Sequence, residues 1–276
     1  MQVAVNGTDF FYLRYGRGAP LVVLHGGPGL DHTYFRPYLD ALGHVVELIY
    51  VDLRGTGRSG GRADIASITL ESWADDIEAL RQVLRLDKVV VLGHSVGGFI
   101  AQVYARRYPD SLRGLVLSNA TPALDYPAQM LSQARDFGTP EQLAALMASM
   151  ARPAQDDHEL RRLWKQSLPM YFFRYQPMFG AAMDDAMVYC AAAHNRGLFE
   201  LVPHFNSVPW LREITAPTIL MASRHDWLAP VELATHRLRD GIAGAQVHLF
   251  ENSGHFPFIE ETTAFCHTIR QWLKRL

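Results

Sequence analysis

The chain has 276 residues, of which 49% are hydrophobic and 20% are charged, and its formal net charge is −2. This composition is typical of a globular protein with enough apolar residues to bury a sizeable core. The small net charge excludes a strong electrostatic attraction to nucleic acid or to an anionic membrane surface, so we expect neither as a partner.

The chain up to residue 121 predicts strands that alternate with helices. The dipeptide Asn6-Gly7 favours a tight hairpin turn between two strands at the edge of a sheet. The later strands are continuous apolar runs, a pattern typical of strands covered on both faces. Thr69 precedes a segment whose apolar residues recur at helical spacing, which predicts a helix with Thr69 at its N-cap. The predicted strands here are residues 2–5, 10–15, 21–24, 45–52, 89–92 and 115–119.

Residues 122–205 lack a clear strand pattern and predict an all-helical insertion, after which strand and helix patterns resume. Alternation of this kind predicts βαβ units and a parallel sheet. We expect an α/β fold with a mostly parallel eight-stranded sheet flanked by helices. Residues 1–121 and 206–276 would form the core, and residues 122–205 a helical cap. The predicted cap helices are 143–150, 159–167, 170–179 and 181–193, the later strands are 217–222 and 247–250, and the later helices lie near 231–238 and at 260–273.

The pentapeptide Gly93-His94-Ser95-Val96-Gly97 joins a predicted strand to a predicted helix and matches the G-x-S-x-G nucleophile elbow. Such a turn holds its serine in a strained conformation and projects the Oγ atom above the edge of the sheet. Glycines two residues before and after the serine avoid collisions with the neighbouring strand and helix. The pentapeptide alone is equally compatible with a purely structural turn, so the partners of Ser95 must decide between the two.

A glycine-rich turn, His25-Gly26-Gly27-Pro28-Gly29, follows the predicted strand at residues 21–24. Glycines in such a turn let the backbone approach a ligand closely. Because Pro28 has no N–H, Gly27 is the natural hydrogen-bond donor of this turn, and Val96 offers a second N–H at a helix start. We therefore predict that the N–H groups of Gly27 and Val96 form an oxyanion hole.

An acid and a base are needed near Ser95, and in a parallel sheet they should come from loops at the carboxyl ends of strands. Asp226 follows the next-to-last predicted strand, and His255 follows the last one. The order Ser, Asp, His along the chain is the order associated with this elbow. The sequence therefore predicts Ser95, Asp226 and His255 as a catalytic triad, with Asp125, after the preceding strand, as the alternative acid.

These motifs resemble those of the α/β-hydrolase family, and the resemblance extends over nearly the full length of the chain. The closest likeness is to the proline iminopeptidase branch, in the turn at residues 25–29, the glycine-rich loop at residues 52–59 and the elbow. The resemblance implies the α/β-hydrolase fold with an inserted helical cap. The elbow departs from the usual pattern of that branch, which has Gly or Gln before the nucleophile and Trp after it, because this chain has His94 and Val96 there.

The peptidases of that branch hold the amine of the substrate with glutamates of the cap. The resemblance places Glu200 at one such position, but residues 188–190 read Val-Tyr-Cys where another glutamate is usual. Glu200 is therefore either an amine-binding residue or a solvated cap residue. Aromatic and Met residues crowd the cap around Phe172, which suggests an apolar substrate of medium size. The predicted substrate-binding residues are His25, Gly26, His94, Phe172 and Glu200.

The leading hypothesis is a serine hydrolase that cleaves carboxylic esters of small to medium apolar substrates through an acyl-enzyme. The first alternative is an aminopeptidase, similar to proline iminopeptidases, that releases N-terminal residues. A non-catalytic ligand receptor and a cofactor-free haloperoxidase-like or oxygenase-like activity are more remote alternatives. We expect a small-molecule ester or a short peptide as the substrate, and neither a metal nor an organic cofactor.

The two cysteines, Cys190 and Cys266, are too few for a disulfide framework and have no metal-ligand spacing. The first residues show neither the basic nor the apolar region of a signal peptide, and no apolar run has the length of a membrane span. We therefore expect a cytoplasmic protein that does not associate with membranes. The sequence does not indicate an oligomeric state.

Overall fold

The computed structural model describes all residues from Met1 to Leu276. The strands are β1 (Gln2–Val5), β2 (Thr8–Gly16), β3 (Ala19–Leu24), β4 (Val46–Val51), β5 (Val89–His94), β6 (Leu112–Ser118), β7 (Thr218–Ser223) and β8 (Gln246–Phe250). They form one sheet in the order β1-β2-β4-β3-β5-β6-β7-β8. The pairs β1–β2 and β2–β4 are antiparallel and all others are parallel, which confirms the predicted mostly parallel eight-stranded sheet.

Apolar clusters cover both faces of the sheet. Along β3, Val22 and Leu24 belong to one cluster, whereas Leu21 and Val23 belong to the other. Successive side chains of a strand point to opposite faces, so a strand covered on both sides must be apolar at every position. The central strand β5 is likewise buried at all six positions. The continuous apolar runs of the sequence follow from this arrangement.

The helices flank the sheet and fill the segment between β6 and β7. They are α1 (Leu70–Val83), α2 (Val96–Arg107), α3 (Pro127–Phe137), α4 (Pro140–Ala151), α5 (Asp157–Ser167), α6 (Pro177–Ala186), α7 (Ala191–Asn195), α8 (His236–Gly241), α9 (Pro257–Glu260) and α10 (Thr262–Leu273). The side chain of Thr69 accepts a hydrogen bond from the N–H of Ser72, which confirms its predicted role as the N-cap of α1. None of these helices combines the length and the apolar character needed to cross a bilayer.

The segment predicted as a cap, residues 122–205, is helical as expected, but its helix boundaries differ from the prediction. The predicted helix at residues 170–179 is wrong, because a short 3-10 turn at Leu168–Tyr171 is followed by non-helical backbone until Pro177 begins α6. Proline lacks the N–H of a helix interior, so Pro177 stands at the first position of a new helix instead.

The predicted helix at residues 181–193 is also wrong, because it is divided into α6 and α7. Tertiary hydrogen bonds replace helical ones between them: the N–H of Val188 donates to Asp31 (2.9 Å), and the N–H of Cys190 donates to the carbonyl of Gly29 (2.8 Å). Similarly, the predicted final helix at residues 260–273 is interrupted at Glu261, between α9 and α10. Helix α3 was not predicted at all.

Candidate active site

Ser95 stands at the turn between β5 and α2 with φ 55° and ψ −122°, a conformation that a residue with a side chain rarely adopts. The turn is so tight that a Cβ on Gly97 would lie 2.3 Å from the main-chain oxygen of Leu24 on the neighbouring strand. The glycine of the elbow is therefore required by the close approach of β3. The strain at Ser95 is what lifts its side chain above the edge of the sheet, as the G-x-S-x-G pattern predicted.

The loops after β7 and β8 bring Asp226 and His255 together. Nδ1 of His255 lies 2.8 Å from Oδ2 of Asp226, and both side chains are almost fully buried. Because the carboxylate only accepts, Nδ1 of His255 carries a proton and its Nε2 is free to act as a base in the neutral ring. Ser95 and His255 line the same cavity. The three residues predicted as a triad therefore meet at one edge of the sheet.

Asn119, at the end of β6, is a site residue that the sequence analysis did not identify. Its side-chain amide donates to Oδ2 of Asp226 (2.8 Å) and to Oγ of Ser223 (3.0 Å). The other oxygen of Asp226 accepts the N–H groups of Leu228 (2.9 Å) and Ala229 (3.2 Å). Burial opposes ionisation of Asp226, but His255, Asn119 and these N–H groups outweigh it and hold the pKa of the carboxyl below its ordinary value.

The alternative acid, Asp125, has a different partner. Its carboxylate forms a bidentate ion pair with Arg237, at 2.6 and 2.9 Å, and its side chain is more than half exposed. This ion pair lowers the pKa of Asp125. The carboxylate of Asp125 forms no hydrogen bond with His255. Of the two predicted acids, Asp226 is therefore the one that pairs with the histidine.

The glycine-rich turn after β3 lies directly against the elbow. A Cβ on Gly26 would lie 2.6 Å from the Cβ of Ser95, so only glycine fits there. Gly26, Gly27 and Val96 all line the cavity with Ser95. Val96 is the first residue of α2, where N–H groups have no partner within the helix. The two predicted oxyanion donors thus belong to backbone segments on either side of Ser95.

A buried tyrosine, Tyr34, connects this turn to the elbow and to the histidine loop. Its hydroxyl accepts the N–H of Gly26 (2.5 Å) and lies 2.9 Å from Nδ1 of His94. Nε2 of His94 is 2.9 Å from the main-chain oxygen of His255, so this nitrogen carries the proton. Burial lowers the pKa of His94 well below its usual value, which keeps the ring neutral in this chain of hydrogen bonds. Sequence reasoning gave Tyr34 no role, because no motif marks it.

The cavity above Ser95 measures about 410 Å³ and is lined by 30 residues, of which 17 are hydrophobic. None of the lining residues is Asp, Glu, Lys or Arg. His194, at the edge near Pro28, is kept neutral because burial lowers its pKa. The cavity therefore combines a polar reaction centre with uncharged, mainly apolar walls.

Of the five predicted substrate-binding residues, Gly26 and His94 line the cavity and the other three do not. His25 is buried behind the turn, where its ring contacts Thr56 (3.1 Å) and the carbonyl of Gly26 (3.0 Å). Phe172 packs against Phe179 and Phe256 within the apolar core. Glu200 is exposed and forms an ion pair with Arg196, one helical turn away. These partners explain why none of the three side chains reaches the cavity.

One group of buried residues has the composition of a metal site. Asp31, His32 and Asp52 place possible ligand atoms within 4.8 Å of one another. Their carboxylate oxygens, however, already accept hydrogen bonds from the protein: Asp31 from Thr33 and Val188, and Asp52 from His32 and from the N–H of Arg58. This group joins the loop after β4 to the cap, and its chemistry is that of a structural network.

Comparison with known proteins agrees with this fold. A family profile described as alpha/beta hydrolase fold matches residues 19–262. The chain belongs to the alpha/beta hydrolase family. A proline iminopeptidase of Saccharolobus solfataricus is 26% identical to this chain over 296 aligned residues, which cover 99% of this chain and 91% of the relative.

Solved structures with the same fold include enzymes of two kinds. A proline iminopeptidase from Mycobacterium smegmatis superposes with a TM-score of 0.80 at 22% identity, over 100% of this chain and 97% of that chain. An esterase from Exiguobacterium antarcticum superposes with a TM-score of 0.76 at 23% identity, over 98% of this chain and 97% of that chain. The family match makes the chain a hydrolase, and the two solved structures show that it shares its fold with proteins named as a proline iminopeptidase and as an esterase.

Proposed function

We propose that this hydrolase is a carboxylesterase that cleaves neutral, apolar esters of small to medium size. The observation that carries the proposal is the cavity above Ser95, which has no charged side chain among its lining residues. A substrate with an ammonium group would have to bury its charge there without a counter-ion, which is strongly unfavourable. A neutral ester meets no such penalty, and its apolar groups match the hydrophobic walls.

In the proposed mechanism, Ser95 attacks the carbonyl carbon of the ester while Nε2 of His255 takes the proton of its hydroxyl. Asp226 orients the imidazole and stabilises the cation that forms. The N–H groups of Gly27 and Val96 hold the oxygen of the tetrahedral intermediate, and removing one such donor typically costs about 10²–10³ in turnover. His255 then protonates the departing alcohol, and water releases the acid from the acyl-enzyme by the same steps in reverse.

The proposal is tested with p-nitrophenyl esters and amino-acid p-nitroanilides assayed side by side. We expect hydrolysis of the esters by the wild type and loss of nearly all of it in Ser95→Ala, because this change removes the nucleophile. Ser149→Ala is the matched control, since Ser149 also lines the cavity but donates to the main-chain oxygen of Leu146. Full activity in a folded Ser95→Ala variant would refute the assignment.

Aminopeptidase activity is the second candidate, and it is favoured by the relatives that are named proline iminopeptidase. This candidate requires a carboxylate for the substrate amine, and the position of Glu200 on the surface argues against that role. Release of p-nitroaniline from proline p-nitroanilide faster than ester hydrolysis would favour it. Loss of that activity alone in Glu200→Gln would show that the cap moves to bring Glu200 to the substrate.

The proposal includes the division of the chain into a core, residues 1–121 and 206–276, and a cap, residues 122–205, that covers Ser95. It also includes a cytoplasmic location, in agreement with the two buried cysteines that form no disulfide. The substrate would then be a small neutral molecule that enters between cap and core.

A further inference from the structure

One wall of the cavity carries two polar groups without partners. The hydroxyl of Tyr171 makes no hydrogen bond within the protein but retains accessible surface, and Tyr171 lines the cavity. Trp164 lines the same wall, with its ring centre 5.1 Å from that of Tyr171, and its indole N–H is buried without a partner. Buried polar groups are rarely left unpaired in native proteins, so the indole N–H of Trp164 is exceptional, whereas the hydroxyl of Tyr171 on the same wall remains accessible.

Apart from Ser95, the proposed nucleophile, the other hydroxyl groups of the cavity are already paired. Ser149 and Ser167 donate to main-chain oxygens one turn earlier in their own helices, and Thr121 donates to the main-chain oxygen of Ala123. Tyr34 accepts from Gly26 and bonds to His94, as described above. Outside the proposed triad, Tyr171 is therefore distinct among the cavity hydroxyls in having a free hydrogen-bonding group.

The position of Tyr171 is fixed by the residues of the reaction centre. Its main-chain oxygen accepts the N–H of His255 (2.6 Å), and its ring centre lies 5.8 Å from the imidazole centre. The ring of Trp227, next to Asp226, packs against it at 5.2 Å. The ring that carries the free hydroxyl is thus packed beside the imidazole of His255, and it lines the same cavity as Ser95.

We propose that the hydroxyl of Tyr171 donates a hydrogen bond to a neutral oxygen of the substrate, such as an ether or keto oxygen close to the scissile ester. This inference rests on the proposed esterase function and refines its substrate class to apolar esters that carry one further oxygen acceptor. Burial, together with the charge of Asp226, raises the pKa of the Tyr171 hydroxyl, so the phenol stays protonated and donates. The acceptor is neutral because the cavity has no charged side chain to balance an anion or a cation.

The test uses two pairs of esters that differ only by an oxygen in place of a methylene group. In the first pair the oxygen is in the acyl part: p-nitrophenyl 3-methoxypropanoate against p-nitrophenyl pentanoate. In the second pair the oxygen is in the alcohol part: 2-methoxyethyl acetate against butyl acetate. Hydrolysis of this second pair is measured by the release of acid. The ratio of kcat/KM within a pair is compared among wild type, Tyr171→Phe and Tyr126→Phe. Tyr126 is the matched control, because it does not line the cavity and its hydroxyl already donates to the main-chain oxygen of Leu228 (3.3 Å).

We expect Tyr171→Phe to lower the ratio of kcat/KM for the ether ester to kcat/KM for its methylene counterpart about threefold to tenfold in one of the two pairs. The pair that responds shows which part of the ester the hydroxyl contacts. Tyr126→Phe should keep the wild-type ratio in both pairs. An unchanged ratio in both pairs for Tyr171→Phe overturns the inference while leaving the esterase proposal intact. Failure of the wild type to cleave any of the four esters overturns the esterase proposal itself.

Discussion

At the scale of single residues, the reaction centre depends on the direction of a few hydrogen bonds. Asp226 accepts from His255, Asn119 and two main-chain N–H groups, so its orientation leaves little freedom to the imidazole. His94 donates to the main-chain oxygen of His255 and thereby fixes the same loop from a second side. Burial lowers the pKa of His94 and keeps its ring neutral. His94 therefore does not compete with His255, the proposed base, for the proton of Ser95.

Substitution of Asp226 by Asn tests the proposed acid. The amide retains the shape of the side chain but would stabilise the wrong tautomer of His255, and in a comparable triad this change cost about 10⁴ in turnover. We expect a similar fall in kcat for the best ester, with KM little changed. Asp125→Asn is the control, since Asp125 pairs with Arg237, and it should remain active. An inactive Asp125→Asn beside an active Asp226→Asn would place the acid on the earlier strand.

The residues found by sequence reasoning and those that it missed differ in one respect. The sequence could place Ser95, Asp226 and His255 at one edge of the sheet because each lies in the turn or loop that follows a strand with a recognisable apolar pattern, and the first has a motif. Tyr34 and Asn119 act through contacts that span 60 and 107 residues of chain, and single polar residues of this kind carry no local pattern. Their roles depend on which loops meet at the sheet edge, which only the folded chain establishes.

At the scale of secondary-structure elements, prediction succeeded where burial on both faces imposes a pattern. Strands β3 and β5 are apolar at nearly every position and were predicted within one or two residues of their bounds. Between β6 and β7, three of the five helices (α3, α4 and α6) begin at prolines, and all five are only partly buried. In one place, contacts with distant loops interrupt the helical pattern. This place is the segment at 188–190, since its N–H groups donate to Asp31 and Gly29 rather than to a helical turn.

Helices α1 and α2 are joined by a buried carboxylate, Glu78, whose ionisation affects stability. Burial alone would raise the pKa of Glu78, but hydrogen bonds from Arg81, Gln82 and Tyr104 lower it to about 2. Because this folded-state pKa lies below that of the unfolded chain, the stabilisation is complete above about pH 4.5 and is lost as the pH falls toward 2.

We expect Glu78→Gln to lower the free energy of unfolding at pH 7 by on the order of 1–3 kcal/mol. The difference from wild type should narrow steadily as urea unfolding is repeated from pH 5 downward. Glu213→Gln serves as the control, because Glu213 forms an exposed ion pair with Arg106 on the same helix α2, and it should cost at most about 1 kcal/mol. A gap between Glu78→Gln and wild type that stays constant down to acid pH would contradict this interpretation.

At the scale of the whole molecule, the segment predicted as the cap (residues 122–205) is attached to the rest of the chain next to Asp226 and His255. The cap segment Met170–Arg174 contacts the loops that carry Asp226 and His255: the carbonyl of Met170 accepts the indole N–H of Trp227 (2.9 Å), and the carbonyl of Tyr171 accepts the N–H of His255. The ring of Phe173 stacks on that of His225 with centres 3.7 Å apart. A change in the position of the cap would therefore act on His255 and Asp226 directly.

One carboxylate, Glu260 in α9, holds this attachment together. Its oxygens accept the N–H groups of Arg174 (2.8 Å) and Phe173 (3.3 Å) in the cap and of Gly254 (2.7 Å) in the histidine loop. Its neighbour Glu261 accepts from Asn252 and Ser253 and has no contact with the cap among its hydrogen bonds. Glu260 therefore connects the cap to the histidine loop, whereas Glu261 supports that loop alone. Variants at these two positions distinguish the two effects.

Replacement of Glu260 by Gln should loosen the cap and slow catalysis together. The amide places an NH₂ group against N–H donors, and hydrogen bonds to a charged acceptor contribute about 1.5–3 kcal/mol, so we expect a fall in kcat/KM of about tenfold or more. Hydrogen exchange at the amides of Phe173 and Arg174 should become faster in the same variant. Glu261→Gln should leave the exchange of these two amides unchanged, because its hydrogen bonds lie outside the cap. If Glu260→Gln exchanges these amides at the wild-type rate and retains full activity, the cap is held by its apolar contacts alone and the carboxylate has no part in positioning His255.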